Sequence, residues 1–203
     1  MTKHKDNKTE ERILKAAQQI FEAKGMDGAR MQEIADKASI NKAMLHYYYR
    51  SKQLLFEAVF KKAFSLLAPQ LNTVLNEDTT LEEKIKKFTH NYVSFFIKHP
   101  YLPNFIIQEI NRNPMFIENI NNNSSLFNID KFKEQVHEEV ENGSIQQISA
   151  EQLFINILSL NIFPFIASPL IKAFTNADDK DYRSLLEARK DEVSDFIINA
   201  IKK

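Results

Sequence analysis

Ala29-Arg-Met-Gln-Glu-Ile-Ala-Asp-Lys-Ala-Ser-Ile-Asn-Lys-Ala-Met-Leu-His-Tyr-Tyr-Tyr-Arg-Ser-Lys52 carries two short apolar patterns with almost no linker between them. Met31, Ile34, Ala35 and Ala38 recur at i, i+3, i+4 and i+7, the spacing of one helical face. Leu45 and Tyr49, four apart, give a second short helix its inward face. Ser39-Ile40-Asn41 predicts a tight turn with Ile40 buried in its middle. If Leu45 and Tyr49 point inward, Ala43 and Tyr47 face solvent. Met44, His46 and Arg50 then flank that side, and Lys42 lies near the helix N-terminus.

Helical spacing continues in both directions. Upstream, Ile13, Ala16, Ala17, Ile20 and Phe21 form one stripe, predicting a helix from about Thr9 to Lys24. Thr9 is its expected N-cap, with Glu10 and Glu11 in the first turn and Gly25 as a left-handed stop. The Lys-rich start, Lys3, Lys5 and Lys8, reads as a frayed tail rather than a minor-groove arm. Downstream, Ser51 is the expected N-cap of a helix carrying Leu54, Leu55, Ala58 and Val59 inward, kinked or ended by Pro69.

The rest of the chain also reads as helix. Thr80-Leu-Glu-Glu83 and Ser149-Ala-Glu-Gln152 have capping-box spacing and open helices to about Lys98 and Phe163. Further helices are expected at about 101–112 and 127–142, the latter ended by Gly143, with an Asn-rich loop at Asn119–Ser125. Pro164 and Pro169 should break the chain. A final helix from about Asp179 to Ile201 carries Tyr182, Leu185, Leu186, Val193, Phe196, Ile197 and Ala200. The fold class is therefore all-α. We expect two domains, 1–62 and 63–203, joined within the helix after Ser51, with a helix-turn-helix at 30–49.

Composition narrows the function classes. The 203 residues include 43% apolar residues, only 3 Gly and 6 Pro, and no Cys. A disulfide framework and thiolate chemistry are excluded. No run approaches the roughly 18 apolar residues of a membrane span. The N-terminus lacks a secretory h-region, so a soluble cytoplasmic protein is expected. The formal net charge of zero averages two unlike parts. Residues 1–62 hold 13 Lys/Arg against 8 Asp/Glu, and residues 63–203 hold 14 against 19. A basic first part suits a polyanionic partner.

The outward face of the second short helix fits that partner. The small Ala43 permits close approach to base edges, and Lys42 can reach a guanine edge or a phosphate. Met44 offers an apolar contact for a thymine methyl. Tyr47, with His46 or Tyr48 at the helix margin, can bond phosphate oxygens. Arg30 and Gln32 on the preceding helix, and Lys52 at the start of the next, complete the expected DNA-facing set. The amides after Ser51 can hold a further phosphate.

Residues 9–60 resemble the DNA-binding domain of the TetR/AcrR family of bacterial regulators. The resemblance rests on Ile13–Ala17, Phe21, Gly25, Ile34-Ala35, Ala38, Leu45, Tyr47, Ser51-Lys52 and Leu54-Leu55. The family often has Thr or Ser where Ala29 and Arg30 stand, Gly at Ser39, Thr at Met44 and another aromatic at His46. It implies a double-stranded operator as partner, and a homodimer paired through helices at about 149–163 and 179–201. It also implies a largely apolar small effector bound in the distal domain.

That distal part holds 13 of the 16 Phe. Phe88, Tyr92, Phe96, Phe105, Glu109 and Phe154 are the expected effector lining, although rings at this spacing also serve simply as core. No cofactor or metal site is expected. His137 with Glu134, Glu138 and Glu141 reads as a solvated helix face rather than a metal cluster. No catalytic spacing is present. The function expected is a ligand-responsive repressor. The alternatives are an activator, and a small-molecule carrier that does not bind DNA.

Overall fold

The computed structural model describes residues 2–104, Ile107, Asn111 and residues 128–203. Nine helices occur among the described residues: α1 (Thr2–Gly28), α2 (Met31–Lys37), α3 (Lys42–Tyr48), α4 (Lys52–Asn76), α5 (Leu81–Lys98), α6 (Asp130–Glu141), α7 (Ala150–Ile166), α8 (Ser168–Thr175) and α9 (Asp179–Ile201). The non-helical pairing described is one bridge, Ile145 to Lys202. The chain forms two compact units, Met1–Ser65 and Leu66–Lys203. The expected loop at Asn119–Ser125 and most of the expected helix at 101–112 lie outside the described residues.

The first unit closes on the stripe read from α1. Ile13, Ala16, Ala17 and Phe21 are buried, whereas Ile20 is only half-buried. Against them pack Ile34, Ala35 and Ala38 of the α2 region, Leu45 of α3, and Leu55, Phe56, Val59 and Phe60 of α4. The Phe21 and Phe56 rings meet edge to face at 4.6 Å, the arrangement their quadrupoles favour.

Several expected boundaries and orientations move. The first helix starts at Thr2, taking in Lys3, Lys5 and Lys8 in place of a frayed tail, so Thr9 lies inside it and is no N-cap. Gly25 takes a positive φ of 67°, as a glycine tolerates, but helical turns resume and reach Gly28. Leu54 is 47% exposed rather than inward, and the positions beside it, Leu55 and Phe56, carry the core. Ile40 is half-buried.

In the second unit the caps at Thr80 and Ser149 form as the sequence indicates, and Asp178 adds one that the sequence reading did not name. The Thr80 hydroxyl accepts from the Glu83 amide and the Ser149 hydroxyl from the Gln152 amide, each at 3.2 Å. Asp178 accepts from the amides of Lys180 and Asp181, both at 2.8 Å. Gly143, with φ 72°, follows the end of α6.

The prolines behave differently from expectation. Pro69 lies within α4, which runs on to Asn76. Pro69 and Ser65 are both exposed, so solvent can satisfy the carbonyl that a missing proline N–H leaves bare. Pro164 lies within α7, where the carbonyl left without its i+4 donor belongs to Leu160. The Arg189 guanidinium of α9 donates to that oxygen at 2.7 Å, replacing the lost bond from another element. The Tyr182 hydroxyl donates to the Pro164 carbonyl at 2.6 Å. The chain bends by 75° at Ala167 instead, and Pro169 falls in the first turn of α8, where its fixed φ is compatible with a helix.

On α9, Tyr182, Leu186, Val193 and Ile197 are buried as read, joined by Ile198 and Ile201. Leu185 is half-buried, Ala200 is exposed and Phe196 is 64% exposed, so the last two leave the inward stripe. No single helix among the described residues is long and apolar enough to cross a membrane.

Candidate nucleic-acid interface

The site is built on α3, seven residues long and held from both ends. At its start the Asn41 side chain accepts from the Met44 amide at 2.7 Å, satisfying one of the open N-terminal donors. Before it, Ser39 takes a positive φ of 54°, the conformation the tight turn demands and one that favours glycine. Leu45 is fully buried and fixes the helix to the unit's core. Past its end, the Tyr49 hydroxyl donates to Glu10 of α1 at 2.8 Å. Burial, and then that bond, hold the Tyr49 phenol well above its ordinary pKa, so it stays a donor at any physiological pH.

With Leu45 and Tyr49 turned in, the rest of α3 faces out. Lys42, Ala43, Met44, His46 and Tyr47 are all exposed, Tyr47 at 83%. Tyr48 is half-buried and meets the Tyr47 ring edge to face at 5.6 Å. The surface therefore presents a cation, a small side chain, a thioether, an imidazole and a phenol from one short rod. Such a face can donate hydrogen bonds to phosphate oxygens around a gap where the backbone approaches closely.

The flanking candidates divide. Arg30 is exposed and sits at the N-cap position of α2 with no side-chain capping bond. Gln32 is exposed, but its amide nitrogen donates to Asp36 at 2.7 Å. Lys52 points back into its own unit, its ammonium bonding the carbonyls of Asp27 at 3.2 Å and Ala29 at 3.1 Å. It thus ties the end of α1 to the start of α4, a role that sequence reasoning missed. The Ser51 hydroxyl accepts from the Leu54 amide at 3.1 Å and caps α4. Glu33 is paired with Lys24 at 2.9 Å, which holds its carboxyl below the usual range.

Of the expected effector lining, Phe105 and Glu109 lie outside the described residues. Phe88, Tyr92, Phe96 and Phe154 are buried and close on one another. Ring centres are 5.6 Å apart for Phe88 and Tyr92, 4.7 Å for Tyr92 and Phe96, and 5.9 Å for Phe88 and Phe154. Burial raises the Tyr92 phenol pKa far above its usual value. The polar residue in this region that sequence reasoning missed is Asn161. It is 1% exposed, and its amide nitrogen donates to Thr89 at 3.2 Å and to the Ile157 carbonyl at 2.8 Å. Its Oδ1 has no hydrogen-bond partner. The apolar run Leu153–Ile166 holds two Asn, Asn156 and Asn161, of which Asn156 is exposed and Asn161 buried. His137 is exposed and lies 3.3 Å from Glu141.

Residues 13–59 match the sequence profile of bacterial regulatory proteins of the tetR family. The match covers the first unit's helices and marks that part of the chain as similar to the DNA-binding domain of those regulators. It is 25% identical over 114 residues to the probable HTH-type transcriptional regulator YttP of Bacillus subtilis, covering 55% of each chain. It is 26% identical over 94 residues to the HTH-type transcriptional repressor NicS of Pseudomonas putida, covering 46% of this chain and 44% of NicS. The chain thus spans about half the length of these two relatives in the matched stretches. A solved structure of an HlyIIR mutant carrying a linker with two thrombin sites aligns with a TM-score of 0.64 at 25% identity. That alignment covers 98% of this chain and 99% of the other. The tetR profile falls on α1 to α4, the helices that hold and frame the exposed face of α3.

Proposed function

We propose that this chain is a ligand-responsive transcriptional repressor of the tetR family that binds a palindromic operator as a homodimer in the cytoplasm. The observation that carries the reading is the outward face of α3, where Lys42, Ala43 and Tyr47 stand exposed over a buried Leu45. Recognition helices of helix-turn-helix proteins enter the major groove by such a face. Lys42, Met44 and Ala43 meet base edges, while Tyr47, His46, Tyr48 and Arg30 bond the backbone. Lys52 and Gln32 support the scaffold more than the contact, since both are engaged within the unit.

Pairing is supported by apolar side chains left uncovered on the helices expected to pair. Ile155 and Phe163 of α7 are 51% and 55% exposed, and Phe196 of α9 is also exposed. Large apolar side chains exposed to solvent mark interaction surfaces where they form a contiguous patch. The two copies of α3 must then meet successive major grooves about 34 Å apart, or a multiple of that. The effector is proposed to be small and largely apolar. It would bind among Phe88, Tyr92, Phe96 and Phe154, with the Asn161 oxygen as its polar anchor. Differential binding worth about 1–3 kcal/mol between the DNA-bound and released forms is enough for a useful switch.

Binding-site selection from genomic fragments tests the reading. The expected product is an inverted repeat. A pool that converges on no sequence would contradict it.

A further inference from the structure

The start of α5, the length of α6 and the end of α9 enclose a cleft of about 1160 Å³. Leu81, Ile145, Ile198 and Ile201, all buried, form its apolar floor. The Gln146 amide donates to the Ile201 carbonyl at 2.8 Å and its side chain to the Lys202 carbonyl at 2.9 Å, which fixes one wall. Seven carboxylates and three lysines line the cleft. A carboxylate excess alone is an ordinary solvated rim.

Lys84 makes this cleft different. It is 2% exposed, and its ammonium forms no hydrogen bond or ion pair among the described residues. Burial, and then Lys131, push its pKa down, while Asp78, Glu139 and Glu77 act in the opposite sense from beyond pairing distance. The stem of Lys84 is buried while its ammonium nitrogen keeps solvent contact at the cleft it lines. Two more groups of the cleft lack partners: the Thr79 hydroxyl and the Gln135 Oε1. The Gln135 amide nitrogen is already committed, donating to the Thr79 carbonyl at 3.1 Å and to Glu139 at 3.0 Å.

Most of the nearer carboxylates are also taken. Glu77 pairs with Lys87 at 2.6 Å and Asp78 with Lys131 at 2.5 Å. Glu134 and Glu138, one turn apart on α6, have no ion pair among the described residues.

We propose that this cleft binds a small zwitterion of the amino-acid or short-peptide class. Its carboxylate meets the Lys84 ammonium, and its ammonium meets Glu134 and Glu138. A simple anion would satisfy Lys84 but face the carboxylates, and a simple cation would do the reverse. A molecule with both charges offers a partner to Lys84 and to the carboxylates without an ion pair. The proposal does not depend on the DNA-binding reading.

Isothermal titration of the full chain with the free proteinogenic amino acids and glycylglycine tests it, with acetate and methylamine as the two separated halves. We expect at least one zwitterion to bind, and each half to bind about tenfold more weakly or not at all, since a charge-assisted contact is lost in each case. Lys84→Met keeps the length and apolar packing of the side chain and should weaken that zwitterion about tenfold or more. Glu138→Gln, on the exposed rim, cannot disturb the core and should weaken it as well. Absence of binding by every zwitterion would overturn the proposal. So would undiminished binding by either variant, or methylamine binding as tightly as the zwitterion.

Discussion

Among the described residues, α3 and the stretch from α7 to α8 both leave aromatic rings in solvent, and the company they keep differs. On α3, Tyr47 stands beside Lys42, Ala43 and His46, all exposed and all reaching from a rod anchored by Leu45. On α7, Phe163 stands two turns beyond Ile155, with only Ser159 between them on that side, and Phe174 of α8 is 78% exposed. A ring with a hydroxyl among cations and donors suits a polar, negatively charged surface. A ring among aliphatic side chains suits another apolar surface. Exposure alone is therefore ambiguous, and the neighbours decide which partner the ring fits.

The comparison breaks most sharply at the apolar end. Replacing Phe163 and Phe196 together by Glu should weaken self-association about a hundredfold or more, because central aromatic anchors dominate such interfaces. Sedimentation velocity would show the change, and an unaltered dimer would mean that pairing lies elsewhere. At the α3 end, Leu45→Ala should cost about 2–5 kcal/mol in denaturant unfolding, as for other fully buried leucines. Tyr47→Ala, two positions away, should change stability by no more than about 0.5 kcal/mol. Equal losses for the two would erase the distinction between anchor and contact.

Arg189→Met probes the compensation at Pro164. It leaves the Leu160 carbonyl without its donor and should cost about 1–3 kcal/mol. The smallest change is Ser39→Gly, which relieves a left-handed backbone and should stabilise the first unit by about 1 kcal/mol. A loss on that substitution would mean that the Ser39 side chain contributes more than its strained φ costs.

The difference between Leu45 and Pro164 also explains what was legible in the sequence. The caps at Ser51, Thr80 and Ser149 depend on bonds to residues three positions away, so local spacing reveals them. The inward and outward faces of α3 follow from one period over seven residues. Pro164 was misread because the donor that rescues α7 comes from Arg189, 25 positions later and on another helix. The scaffold bonds of Lys52 were hidden for a similar reason. A lysine after a helix-turn-helix reads as a phosphate ligand, but carbonyls of Asp27 and Ala29, brought close only by the fold, already hold it. Asn161 and Lys84 were hidden because their burial depends on three-dimensional neighbours, not on their own helical phase.

A DNA-binding role for the exposed face of α3 has a direct test. Fluorescence anisotropy with a selected operator duplex, across a salt series, compares the wild type with the Lys42→Ala/Tyr47→Ala double variant. The wild type should lose affinity steeply as salt rises, with a log–log slope set by the number of phosphates neutralised. The double variant should bind at least about tenfold more weakly, with a shallower slope and unchanged thermal melting. Equal affinity and equal slope for the two proteins would contradict the account.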